Sequence, residues 1–201
     1  MCFLFWNIRG YGHVGRRTQL NEFIRGENID VVGLQETIKA DFSHRDLLAI
    51  DPLERFVWHW VPAIGHSGGM LLGISHVCCE VVAWDAGRFF MSAHVRHRAS
   101  LRDWEIIVVY GPADHSRAAD FLGEIQSLVG AKQAANIPIV LGGDFNLIRS
   151  SADKNNCNID WSRISLFNNA IAACALRELA RTGARYTWTN KQLIPVRSVL
   201  D

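Results

Sequence analysis

The sequence predicts an α/β fold in which two sheets pack face to face and helices cover their outer faces. Three observations point there: a β-α-β opening, five short strand-like segments in succession between Arg55 and Tyr110, and helical periodicity that returns after Tyr110. Strands outnumber helices, and the helices bracket a β-rich middle. That order favours two packed sheets over one doubly wound sheet.

Phe3 to Ile8 reads as the first strand, Arg16 to Arg25 as a helix with Leu20, Phe23 and Ile24 on one face, and "DVVGLQET" as the second strand. The segments "RFVWHWV", "GGMLLGI", "EVVAW", "FFMSAHV" and "WEIIVVY" are separated by Gly, Pro or charged turns and predict an antiparallel meander. Ala118 to Ala135 carries Phe121, Ile125, Leu128 and Val129 at helical spacing. In "VLGGDFNLI" a short apolar run reads as a strand covered on both faces and ended by Gly142-Gly143. Ile164 to Ala173 predicts another helix and "RYTWTN" a last strand. No linker, low-complexity tract or fixed-period repeat interrupts the chain, so a single domain over residues 1–201 is expected.

Composition bounds the function. At 201 residues, 49% hydrophobic and 20% charged, the chain is long enough for one domain with a real core and is not a disordered one. Its apolar runs are too short to cross a bilayer, and "MCFLFWNIRG" lacks the basic region of a secretory signal, so a nuclear or cytoplasmic, non-secreted protein without a membrane partner is expected. A net charge of +1 means that any nucleic-acid binding comes from a local patch, and "RHRASLR", with Arg96, Arg98 and Arg102, is the best one. Five cysteines without C-x-x-C spacing fit a reducing compartment and argue against a disulfide framework or zinc knuckle.

The chemistry-bearing residues sit at strand ends. "FWNIRG" delivers Asn7, "VVGLQET" delivers Gln35 and Glu36, "IIVVYGP" delivers Tyr110, and "GGDFN" delivers Asp144 and Asn146. Singly, each has an ordinary reading: a turn for Asp144 and Asn146, a solvated charge for Glu36, a tied-down core phenol for Tyr110. Gathered on one rim, the same groups would suit a divalent metal and a phosphate ester. His94 and His97, three apart on a strand, point to opposite faces and do not form a metal pair. Trp58 and Trp60 share a strand face and read as core.

The ordered set "WNIRG", "LQET", "VYGP", "GGDFN", "YTW" and "SVLD" resembles the endonuclease/exonuclease/phosphatase superfamily, and within it the endonuclease domain of plant LINE-type (non-LTR) retrotransposons. The resemblance implies a four-layer α/β/β/α sandwich that hydrolyses a phosphodiester bond with Mg²⁺ or Mn²⁺, with DNA as partner and no obligate protein partner inferable. By position, Glu36 matches the metal carboxylate and Asn7 the amide beside it. Tyr110 matches a phosphate-binding hydroxyl. Asp144 and Asn146 match the pair that handles the attacking water and a phosphate oxygen, Thr187 a hydroxyl near the substrate, and Asp201 a carboxylate that buttresses a histidine in relatives. Trp188 and Arg98 complete the substrate-binding candidates.

Such relatives continue past the residue matching Asp201 into two further strands and an "SDH" segment that this sequence does not contain. The expectation is therefore a sandwich lacking its last strands, with catalysis weak or absent. A phosphoesterase acting on a small phosphate or lipid head group, and a non-catalytic nucleic-acid-binding remnant, stay open beside the endonuclease reading.

Overall fold

Period-2 alternation along the strands decides which of their side chains face which layer. The computed structural model describes residues 1–65, 67–180, 183, 185–190, 192–193 and 195–200. They form two compact units, Met1–Tyr110 with Lys132–Gly143, and Gly111–Ala131 with Asp144–Asp201.

The first unit opens with β1 (Phe3–Asn7), α1 (Val14–Gly26) and β2 (Val31–Gln35). The two strands run parallel, Phe3 opposite Val31 and Asn7 opposite Gln35. A short helix, α2 (His44–Leu48), is started by a reciprocal capping box between Ser43 and Asp46. Then come β3 (Phe56–Ile64) and β4 (Ser67–Ser75), an antiparallel hairpin that joins the first pair to give a sheet of order β1-β2-β4-β3. The next three strands, β5 (Cys79–Ala86), β6 (Phe90–His97) and β7 (Asp103–Tyr110), are antiparallel neighbours in a second sheet of order β5-β6-β7-β8. The meander read from the sequence is thus divided. All five strands exist, but the chain leaves one sheet after β4 and starts the other at β5.

The helix α3 (Ala118–Ala134) leads to β8 (Ile139–Asp144) at the edge of the second sheet. β8 follows β7 in the same direction, since Glu105 N–H donates to Pro138 O at 2.8 Å and, six residues on along each chain, Gly111 N–H donates to Asp144 O at 2.7 Å. As an edge strand it is half-buried over Ile139–Gly142, rather than covered on both faces, and it runs through the two glycines to Asp144 instead of ending at them. Gly142 needs its missing side chain, because a Cβ there would lie 2.5 Å from the Phe5 ring. Gly143 has φ +134° and its Cβ would meet the Val109 carbonyl.

Two apolar layers hold this unit. Between the sheets lie Val31, Met70, Leu72 and Ile74 from the first and Met91, Ala93, Val95, Ile106 and Val108 from the second. On the outer face of the first sheet, Val32, Leu34 and Leu71 pack with Leu20 and Ile24 of α1 and with Tyr11, Phe42 and Ile50, and Trp58 and Trp60 join that cluster. Phe23, assigned to the same helix face by spacing, is 43% exposed and lies edge-to-face with Trp6, ring centres 6.4 Å apart.

The second unit contains the buried α3 residues Phe121, Leu122, Ile125, Leu128 and Val129, and α4 (Trp161–Ala173), whose start is capped by Asp160 accepting from Arg163 N–H. Phe145 lies between Phe121 and Phe167, ring centres 6.4 and 5.4 Å away. Two short strands, β9 (Trp188–Thr189) and β10 (Arg197–Ser198), pair antiparallel. Among the described residues no helix is long and apolar enough to cross a membrane.

Candidate active site

The direction of the strands puts three of the polar residues at one end of the first unit. Cys79 at the start of β5 touches Met1 ahead of β1, sulfur to sulfur 3.5 Å. Cys79 is opposite His97, and Arg96 is opposite Asp103 at the start of β7. At the other contact between the sheets, a Cβ on Gly33 would lie 2.7 Å from Val108. Both contacts together require β1, β2 and β7 to point the same way, so Asn7, Gln35 and Tyr110 end on one rim.

Alternation then sets where these side chains go. Phe3 and Phe5, Val31 and Gly33, and Ile106 and Val108 all face the inter-sheet layer, so Asn7, Gln35 and Tyr110 occupy the last inward positions of their strands. Gln35 is only 1% exposed; its amide N–H donates to Gly33 O at 3.0 Å, while its Oε1 has no hydrogen-bond partner among the described residues. A buried amide oxygen without a donor is costly and is a natural place for a hydrated cation or a ligand to be accommodated.

Past the strand ends the ladder continues on strained backbone. Ile8 N–H donates to Gln35 O (3.0 Å), Gly10 N–H to Glu36 O (2.7 Å) and Tyr11 N–H to Thr37 O (2.8 Å), while Thr37 and Ile38 donate to Gly69 O and Gly68 O. Arg9 (φ 48°), Glu36 (φ 56°) and Ile38 (φ 52°) all hold left-handed conformations, which cost roughly 1–3 kcal/mol each and are least natural for the β-branched Ile38. The turn at Glu36 breaks the period of 2, so this residue leaves the regular pattern at the rim. Glu36 as a residue is half-buried, and its carboxylate makes no hydrogen bond or ion pair among the described residues.

A hard divalent cation fits this donor set. No cluster of three or more His, Cys, Asp or Glu side chains converges among the described residues, so an all-protein cage is absent. Mg²⁺ does not need one: it keeps several waters and is seated by one or two carboxylates with other oxygen donors. The Asn7 amide oxygen accepts from Arg9 N–H at 3.2 Å, which fixes its orientation.

In the second unit parts of four of the sequence motifs are sewn together. Asp144 is 4% exposed; its Oδ1 accepts from Asn146 N–H at 3.0 Å, an Asx turn with Asn146 at φ 53°. The Asn146 amide in turn donates to Gly111 O at 2.8 Å, and Gly111 N–H donates to Asp144 O. A Cβ at Gly111 would collide with the Phe145 carbonyl, which is why the "YGP" motif carries glycine at that point. Phe145 N–H donates to Leu200 O at 2.9 Å, and Leu200 N–H donates to the Thr187 hydroxyl at 3.1 Å, so "GGDFN", "SVLD" and "YTW" form one network. Thr187 is engaged with backbone, and Trp188 is half-buried in β9 opposite Ser198.

The remaining candidates fall elsewhere. Arg98 is in the turn between β6 and β7, its Nε donating to His76 O at 2.8 Å, at the end of the strands opposite Asn7 and Tyr110. It does not join the rim, because an antiparallel hairpin puts its turn one full strand length from the end of β7. Asp201 lies outside the described residues. Sequence reasoning passed over Arg16, whose guanidinium gathers carbonyls next to Asn7. It set Gln35 beside Glu36 without a role of its own. The sequence reading has Arg16 only as the first residue of a helix, and nothing local marks the loop as its target.

Comparison with solved structures finds the same fold at low identity. The chain resembles the 3′ phosphatase NExo from Neisseria, solved bound to a product DNA hairpin (TM-score 0.72, 16% identity, 98% of this chain and 86% of that one). It also resembles the human Nocturnin catalytic domain with bound sulfate (TM-score 0.59, 18% identity, 74% of this chain and 65% of that one) and TDP2 from C. elegans (TM-score 0.59, 17% identity, 98% and 64%). This chain therefore spans just under two thirds of the length of the last two. No curated protein matches the sequence. A profile of the Endonuclease/Exonuclease/phosphatase family matches residues 4–201, nearly the whole sequence, and the chain belongs to that family.

Proposed function

We propose that this chain is a metal-dependent phosphodiester hydrolase of the DNA endonuclease type, derived from a LINE-type retroelement. The observation that carries the reading is Glu36: a half-buried acidic residue on strained backbone, its carboxylate without a partner among the described residues, beside the rim amides Asn7 and Gln35. Leaving a carboxylate unneutralised there costs free energy that a bound cation would return. The sequence motifs "WNIRG" and "YTW" support the retroelement origin.

Glu36 and Asn7 would hold Mg²⁺ or Mn²⁺, and the metal would supply positive charge to the non-bridging oxygens as in-line attack loads them. Tyr110, a phenol at the rim, donates a hydrogen bond to a phosphate oxygen. Asp144, oriented by its own Asx turn, takes the proton of the attacking water, and Asn146, braced by Gly111, steadies a phosphate oxygen. Thr187 and Trp188 contribute to the DNA surface, Trp188 by stacking.

The test is nicking of supercoiled plasmid by the 201-residue chain with Mg²⁺ or Mn²⁺, and its loss with EDTA, Glu36→Ala or Asp144→Asn. Parallel assays on a 3′-phosphorylated DNA hairpin and on inositol phosphates separate a diesterase from a monoesterase. Salt-dependent DNA binding without cleavage of any substrate would replace the reading with a binding module.

A further inference from the structure

We propose that Arg16 is a positioning residue for the metal seat, acting on Glu36 through the loop that follows Asn7; the inference rests on the reading of Glu36 and Asn7 given above. One nitrogen of Arg16, Nη1, donates to the carbonyls of Ile8 (2.9 Å) and Arg9 and reaches that of Gly10 (3.5 Å). Three consecutive carbonyls meet on one nitrogen only if the chain curls. The left-handed Arg9 and Gly10 (φ 48° and 101°) supply that curl.

Carbonyl dipoles aimed at a common point repel, and here a guanidinium sits at that point. Arg16 makes no ion pair among the described residues, so its charge serves these carbonyls rather than a carboxylate. The same loop turns its N–H groups the other way. Gly10 uses its carbonyl on Arg16 and its N–H on Glu36 O, 2.7 Å away. A single residue therefore links the guanidinium to the backbone of the strained acid, and Ile8 makes the same link to Gln35. The far end of the loop is anchored independently by Tyr11, which is buried, donates its hydroxyl to Asp46 O and packs edge-on against Phe42.

Arg17 provides an internal control. It donates to the carbonyls of Tyr11 and Gly12, both at 3.2 Å, and lies over the Tyr11 ring, one step beyond the segment bonded to Glu36. It carries the same charge on the same helix but acts on backbone that has no bond to the acid.

Mn²⁺ binding followed by electron paramagnetic resonance, with circular dichroism melts on the same samples, tests the proposal without a turnover assay. Arg16→Met is expected to weaken Mn²⁺ binding roughly tenfold, the range in which residues that orient a ligand act. Arg16→Lys, which can reach fewer of the three carbonyls, falls between it and the parent, and Arg17→Met stays within about twofold. Wild-type affinity in Arg16→Met while Glu36→Gln binds more weakly would overturn the positioning role and leave the seat standing. Wild-type affinity in Glu36→Gln itself would remove the seat and the positioning role together. If Arg16→Met does not fold by circular dichroism, Arg16→Lys decides: a several-fold loss supports the proposal and parental affinity overturns it.

Discussion

Glu36 and Glu105 are both acidic residues of the first unit, one half-buried and the other fully buried, and the fold treats them in opposite ways. Glu105, on the outer face of the second sheet, is fully buried and surrounded by compensation: the Ser92 hydroxyl donates to it at 2.5 Å, Lys132 at the end of α3 lies 3.0 Å away, and His94 3.4 Å away. His94 also approaches Asp103, which Arg96 grips through two nitrogens at 2.8 and 3.2 Å. Glu36 has no such partners among the described residues and stands on left-handed backbone. A carboxylate that is neutralised in place fastens elements together. One that is left uncompensated at a rim is suited to a ligand.

That contrast can be broken by substitution. The largest effect is expected at Glu36. Glu36→Ala should lower metal-dependent phosphodiester hydrolysis by at least roughly a hundredfold, the usual consequence of removing a group that supports transition-state charge, with the melting temperature unchanged or slightly raised. A drop in melting temperature as large as that of a core variant would make Glu36 structural after all. Glu105→Ala should do the reverse, lowering the unfolding free energy by about 3–5 kcal/mol in urea because Lys132 and His94 lose their buried partner. Metal binding by the folded fraction should be retained.

Two smaller effects sharpen the same distinction in the second unit. Gly111→Ala forces a methyl group against the Phe145 carbonyl and should cost about 1–3 kcal/mol, measured by chemical unfolding, because backbone rather than a flexible side chain must move. Thr187→Val removes the acceptor of Leu200 N–H and should cost about 1 kcal/mol or less at this exposed position. A loss of hydrolysis in Thr187→Val well beyond its change in stability would point to a hydroxyl that serves the substrate as well as the chain.

Much of the strand inventory was legible from sequence. Every strand-like segment between Arg55 and Tyr110 forms, because alternation of apolar and polar residues is a local signal set by the pleat. The helices α1, α3 and α4 follow their apolar spacing. What the pattern does not contain is the partner of each strand. β4 and β5 read alike, yet one completes the first sheet and the other opens the second. The full burial expected of β8 failed for the same reason: three apolar residues in a row fit a central strand and an edge strand equally well.

For the candidate site, the residue types at the strand ends were visible in order along the chain, since Asn7, Glu36, Tyr110 and Asp144 each close an apolar run. Their states were not. That the Asn146 amide is braced on Gly111, that the Gln35 side-chain oxygen has no partner among the described residues, and that Arg16 holds the carbonyls after Asn7 depend on where distant segments lie.

The amino-acid order by itself determined which segments are strands and helices and which polar groups terminate them, because both follow from interactions between residues a few positions apart. Only the tertiary structure decided sheet membership, the common direction of β1, β2 and β7, and which of the two acids is compensated. Those depend on pairings between residues far apart in the chain, such as Cys79 with Met1 or Lys132 with Glu105, whose energies no local pattern records.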